Sequence, residues 1–175
     1  VLVAFIIIPL AEILIGKDTA NLSEDQLKSK KHDHLFDLML YLNAPIVFGL
    51  LYWTFKNVST IDYSVVEMIG IASCIGILLA TNAINVAHEL GHRKGMFERT
   101  LSKTLLMPCL YMHFYIEHNF GHHFNVGTPE DGATAKYNQT VYAFWVSSVI
   151  KQYINAWKKQ KELLNASSIK RNFSY

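Results

Sequence analysis

Apolar and polar residues follow one another along this chain in long blocks, and the blocks predict helices. Residues 1–15 are apolar except for Glu12 and read as the latter part of a membrane-spanning helix, with Gly16 placed to close it as a C-cap. A polar, charged stretch covers 17–37, where Ser23-x-x-Gln26 resembles a capping box and predicts a short helix. Residues 38–55 form a second apolar block broken only by Asn43 and Pro45, with Tyr52 and Trp53 near its end, where interfacial aromatics belong. At about 1.5 Å per residue it just crosses a hydrocarbon core of roughly 30 Å. After a short polar link, 56–63, a third and clearest span is predicted over 64–87. Ala72 and Gly76 give that span a small-xxx-small pair compatible with close helix packing.

Beyond this span the pattern changes. Residues 101–116 are apolar but contain Lys103, Pro108 and His113, which predicts a re-entrant or interfacial segment rather than a full crossing. A polar loop is expected over 125–139, then an amphipathic helix over 140–165. Its bulky face includes Val141, Phe144, Trp145, Ser148, Val149, Tyr153 and Trp157, and Lys151, Lys158, Lys159 and Lys161 gather near its end. That composition reads as a helix lying on the membrane surface.

Composition agrees with the pattern. Of the 175 residues, 51% are hydrophobic and only 17% charged, against roughly 25% charged in an ordinary soluble domain. The net charge of +2 is too mild to argue for nucleic acid as a partner. The expected fold is therefore all-α, a polytopic transmembrane helix bundle forming a single integral-membrane domain over 1–175. Four lysines in 17–37, against one in 56–63, orient the long loop to the cytoplasm by the positive-inside rule. The third span then delivers its C-terminal end to the cytoplasmic face of the cell (inner) membrane. Cys74 and Cys109 lie in apolar runs and read as buried, reduced thiols. The chain opens at Val1 inside an apolar run and stops at Tyr175 without a terminating feature, which reads as an internal piece of a longer protein, incomplete at both ends.

The chemistry concentrates between positions 88 and 123, where two clusters hold five of the eight histidines. His88 and His92 stand four apart, so on a helix they share one face and can ligate one ion together. Thr81 and Asn85 extend that face as a polar strip, with Glu89 near its edge. His118 and His122 repeat the spacing, and His123 points about a third of a turn away. Five imidazoles without a cysteine exceed an ordinary structural zinc site and favour two metals, though imidazole suits iron, copper, nickel and zinc alike. His32 and His34 read as solvated.

Asn85-x-x-His88-Glu89-Leu90-Gly91-His92-Arg93-Lys94 resembles the first histidine box of the membrane-bound, non-haem di-iron alkane 1-monooxygenases, within the fatty acid desaturase and hydroxylase superfamily. His113-Phe114-x-Ile116-Glu117-His118-Asn119-x-Gly121-His122-His123 is similar to the second box, and Thr128-Pro129-x-Asp131 follows it as in that family. Pro9-Leu10 and Ile15-Gly16-Lys17-Asp18 resemble the family's early span-to-loop junction. The resemblance implies hydroxylation of the terminal carbon of alkanes or similar hydrocarbon chains. Two iron ions would activate O₂, with substrate drawn from the membrane lipids and electrons from rubredoxin or a similar carrier. It makes His88, His92, His118, His122 and His123 the iron ligands. Glu89, Glu117 and Asp131 become the acceptors that orient those imidazoles, with Asn85 doing the same from one turn back. His113 matches a family position as well and reads as a buried, hydrogen-bonding histidine behind the ligands.

The family carries further histidine motifs toward its C-terminus that are not in this chain, so the polypeptide alone is expected to be inactive. Three other readings compete. One is a membrane fatty acyl desaturase or hydroxylase of the same superfamily. The others are an intramembrane zinc protease using His-Glu-x-x-His, which leaves 117–123 unexplained, and a histidine-rich metal transporter.

Overall fold

A computed structural model of the chain describes residues 2–16, 21, 23–25 and 34–166. Among these residues all regular structure is helical. The expectations resting on His32 and on Ser23-x-x-Gln26 involve positions outside the described residues. The chain divides after Val86 into two compact units, each described by itself.

In the first unit a π-helical turn, Val3–Ile7, leads into helix α1, Ile8–Ile15. Gly16 ends it as the sequence predicts. Its φ of 80° lies where an L side chain is strained, and its N–H donates to Glu12 O at 3.1 Å. Helix α2, His34–Thr60, outruns the predicted block at both ends. At its far end, past the apolar part, the side chains of Asn57, Ser59 and Thr60 donate to carbonyls one turn earlier, at 2.7, 2.8 and 2.9 Å. Helix α3, Val65–Gly91, begins at a capping box that sequence reading passed over. The Glu67 carboxylate accepts from Ser64 N at 2.8 Å, and Ser64 Oγ accepts from Glu67 N at 3.4 Å.

Helices α2 and α3 are each long and apolar enough to cross a membrane. In their most apolar windows only 17% and 11% of residues are buried, the reverse of a helix that forms the core of a soluble domain. They meet where α3 passes through a π-helical turn, Leu79–Ile84. Ala83 is fully buried there, Ala44, Val47 and Leu51 are buried on α2, and Asn82 Nδ2 donates to Asn43 Oδ1 at 3.0 Å. Small residues admit the close approach and the amide pair fastens it. The predicted Ala72/Gly76 contact is not the one used: a Cβ on Gly76 would meet nothing within 4 Å. Cys74, expected to be buried, is exposed, in a cleft that it lines with Trp53 and Thr54 of α2. Cys109 is half-buried.

The second unit contains the last turns of α3, then α4, Met96–Leu106. The single apolar segment expected over 101–116 is broken in the structure. Pro108 cannot donate a helical hydrogen bond, Leu110 takes a positive φ of 51°, and the chain turns before helix α5 begins at His113. Helix α5 covers 113–125 with a π-helical turn, His118–His122, at its centre. A stretch of turns leads to α6, Val141–Ala166. Helix α6 turns a narrow stripe of Ser148, Gln152 and Ala156 inward, while Val141, Trp145, Val149 and Trp157 of its bulky face stay exposed. Leu90, Leu105, Leu106 and Tyr115 are buried in the same unit. Ser102 Oγ donates to Ala87 O at 2.6 Å, which ties α4 to the turn that carries His88.

In an unfolding cycle in mixed micelles, Asn43→Ala, Asn82→Ala and the double variant should show a coupling of about 0.6–1.7 kcal/mol. Strictly additive effects would show that the amide pair does not hold α2 to α3.

Candidate metal centre

The site is made where the end of α3 faces the middle of α5. On α3, His88 and His92 are one α-helical turn apart, and their Nε2 atoms lie 3.1 Å from each other with the rings edge to face. Leu90 and Gly91, between them, are buried against the rest of the unit. A Cβ on Gly91 would stand 3.2 Å from Ser102 Oγ and 3.5 Å from the Tyr115 ring, so α4 and α5 approach through the space a side chain would take.

On α5 the π turn decides which histidine reaches inward. The N–H of His123 donates to His118 O, an i→i+5 bond that widens the turn by one residue. His118 and His123 therefore lie side by side, with Nε2 atoms 3.1 Å apart, and His118 Nε2 is 3.2 Å from His92 Nε2. His88, His92 and His118 have ring nitrogens within 4.8 Å of one another, and His123 joins through His118. The regular four-residue spacing expected for His118 and His122 gives way to this five-residue pairing. His122 stacks on His118 at a centroid distance of 5.3 Å but directs its Nδ1 to Asp131, 3.0 Å from each carboxylate oxygen.

These distances fit a shared cation. Two nitrogens about 2.0–2.1 Å from one ion stand roughly 2.9 Å apart at a right angle and roughly 3.4 Å apart at the tetrahedral angle. The observed 3.1, 3.2 and 3.1 Å fall between. Hydrogen bonding accounts for them less well. Each Nε2 offers either one proton or one lone pair, so a line of four such atoms can satisfy at most two of its three contacts. Burial, reinforced by the neighbouring His88, His123, His92 and His122, pushes the His118 imidazole down to about 3, which keeps it neutral with its lone pair available.

The acidic residues separate into different roles. Asp131 is buried, with its Oδ2 accepting from Thr134 Oγ1 and its Oδ1 from Ala133 N at 2.9 Å. Burial alone raises its carboxyl, but the hydrogen bonds from Thr134, His122 and Ala133 outweigh that and hold it below the usual range. An ionised Asp131 that receives the Nδ1 proton of His122 leaves His122 Nε2 with a lone pair. Glu117 is 1% exposed, and its Oε2 has no hydrogen-bond partner among the described residues. Burial and the charge of Asp131 raise its carboxyl, with His122 opposing. Glu89 faces solvent and accepts from Arg93 at 3.2 Å. Asn85 is exposed and belongs to the first unit.

His113 stands apart from the nitrogen cluster. Its ring packs edge-on against Tyr111 and Tyr153 at 4.6 and 5.1 Å, and its buried Nε2 has no hydrogen-bond partner among the described residues. It lines an apolar cleft of about 440 Å³ with Met107, Ile116 and Trp157. Sequence reading missed Phe114, which stacks on His118 at 4.8 Å and approaches His88 at 6.2 Å. It also missed Thr134, which ties Asp131 to the Gly127 N–H at 3.0 Å. The four-residue step from Phe114 to His118 was visible; nothing local marked Thr134.

Apolar helices of bilayer length joined to a cluster of imidazoles with converging nitrogens define a helical protein with a candidate histidine-lined cation site. Within that class the chain belongs to the fatty acid desaturase family, which it matches over residues 65–173. It is similar to alkane 1-monooxygenase 1 of Alcanivorax borkumensis, 33% identical over 91% of this chain and 39% of that protein. It is also similar to alkane 1-monooxygenase of Ectopseudomonas oleovorans, 32% identical over 90% of this chain and 39% of the relative. The xylene/toluene monooxygenase hydroxylase component of Pseudomonas putida is 30% identical over 73% of this chain and 36% of its own length. The chain thus spans about two fifths of the length of the alkane 1-monooxygenases it matches.

Inserting one alanine after Phe120 sets His118 and His123 six residues apart, a spacing that neither an α nor a π turn brings onto one face. Metal retention after desalting should then fall to the level of His118→Ala, as read by elemental analysis, with helix content unchanged by circular dichroism. Full retention would show that the five-residue pairing is not what gathers the nitrogens.

Proposed function

We propose that this chain is part of an integral-membrane oxygenase that hydroxylates the terminal carbon of alkanes or similar hydrocarbon chains with O₂. The observation that carries the reading is the set of four Nε2 atoms spaced 3.1–3.2 Å apart, with a fifth imidazole oriented by a buried carboxylate. An all-imidazole set without thiolate suits a redox-active first-row metal such as iron. The alkane 1-monooxygenase relatives favour hydrocarbon hydroxylation over the other chemistries of the desaturase family. We take His88, His92, His118, His122 and His123 as ligands to a di-iron centre, and a rubredoxin-type carrier as the electron donor. Bound iron supplies the redox chemistry, in which O₂ takes up two electrons and two protons, one oxygen enters a C–H bond and the other leaves as water.

The protein's part is to hold and shield. His118, neutral through burial, keeps its lone pair at any working pH. Asp131 fixes the tautomer and tilt of His122. Phe114 lies flat on His118 and walls the cluster on one side, which limits water at the reacting position. Helices α2 and α3 form part of a polytopic bundle, multi-pass in the cell membrane with the histidines at the cytoplasmic side. Their outward apolar surfaces stand in lipid, where an alkane partitions, and a soluble electron donor meets the site from the cytoplasm. Glu89, paired with Arg93, gives no support to a zinc protease in which that glutamate is the general base.

The full gene product in native membranes, supplied with reduced carrier, n-alkanes and ¹⁸O₂, should give primary alcohols labelled from the gas. The purified protein should hold about two iron ions per chain. Alkenes as product, oxygen derived from water, or a single zinc would overturn the reading.

A further inference from the structure

Helix α6 does more than lie beside the site. Three successive carbonyls of the loop that carries Asp131 end on its side chains. Lys151 Nζ donates to Pro129 O and, at 3.3 Å, to Asp131 O, and Asn155 Nδ2, one turn further on, donates to Glu130 O at 3.2 Å. The next residue, Gly132, is buried against α6 itself, where a Cβ would come within 3.0 Å of Gln152 N and 3.3 Å of its Cα. Backbone therefore meets backbone at Gly132, and the loop's outward carbonyls are received by Lys151 and Asn155. At the loop's other edge the Gly127 N–H donates to Thr134 Oγ1, which bonds Asp131 Oδ2. The sequence pattern groups Lys151 with the lysines at the end of α6; in the structure it is half-buried and turned to the loop.

We propose that Lys151 is a positioning residue for the candidate metal centre: from α6 it fixes the backbone on both sides of Glu130, and so holds the Asp131 carboxylate against Nδ1 of His122. This rests on His122 being a ligand, as proposed above. A lysine suits the task because its ammonium carries three donors on a flexible stem and can serve two carbonyls at once. Its influence on the ion passes entirely through Asp131. Groups that orient a ligating imidazole typically change metal affinity by about 10–100-fold, and a residue acting one bond further out belongs at the lower end.

The test is a double-mutant cycle in the full gene product purified in detergent, with cobalt(II) as the probe and its visible absorption as the readout. Lys151→Met should weaken cobalt binding about tenfold and shift the cobalt bands. Lys151→Arg, which keeps donors at the same carbonyls, should restore most of the affinity. In an Asp131→Asn background Lys151→Met should add nothing further, whereas general damage to the fold would add its cost in either background. Hydrogen exchange on the metal-free protein supplies a readout independent of the ion: in Lys151→Met the amides of Gly127 and Ala133 should exchange faster, and those of α4 should not. Cobalt bound equally by wild type and Lys151→Met, or additive losses in the cycle, would overturn the positioning role alone. A wild type that takes up no cobalt and no iron would overturn the metal reading, and the positioning role with it.

Discussion

Four imidazole nitrogens held 3.1–3.2 Å from their neighbours form an arrangement that water and hydrogen bonding alone do not favour. At least one of the three contacts is unsatisfied in any set of tautomers, and burial at His118 penalises the protonation that would supply another donor. His118 carries the cost most plainly, since every contribution to its state acts in the same direction. Such a cluster persists because its supports are stiff. Two of the four histidines stand on one helical turn of α3, whose Ala87 carbonyl is fastened to Ser102 on α4. The other two stand on α5, which packs through Tyr115 close to the bare backbone of Gly91.

The remaining imidazole is held differently. His122 is governed by the loop after α5 rather than by a helix face, through a carboxylate that is itself bonded by Thr134 and Ala133. Glu117, close by in the same interior, is pushed the opposite way to Asp131, so one carboxyl there favours the charged form and its neighbour the neutral one. Two like charges in one dry space are avoided, and His122 stands against the one that stays ionised.

Sequence pattern disclosed the parts of this structure that depend on composition or on short, regular spacing. The apolar blocks marked α2 and α3, Gly16 marked a helix end, and the His88/His92 pair followed from the α-helical period alone. What escaped were features set by contacts between distant residues. The π turn of α5 has no residue signature that separates it from ordinary helix, so it is His123 rather than His122 whose Nε2 meets that of His118. Helix α2 runs on to Thr60 through Asn57 and Ser59, polar residues outside the apolar period that marked it. The Asn43–Asn82 pair fixed the helix contact at Ala83, while the more conspicuous Ala72 and Gly76 stayed on an open face. Glu89, an obvious candidate from its position between two histidines, found Arg93 one turn away on the exposed side of the helix.

Gly91 changes what the stretch His88-Glu89-Leu90-Gly91-His92 stands for. Of its three intervening positions, Leu90 and Gly91 are buried and only Glu89 faces out. A text search for two histidines four apart treats all three as free letters, but the fold leaves one free. A protein with both histidines and a bulky residue at the fourth position would satisfy the search and still hold its imidazoles apart, since α4 and α5 would have no room to close on them. The glycine thus acts as a spacer whose content is the missing volume, and the motif specifies a docking surface as much as a pair of donors.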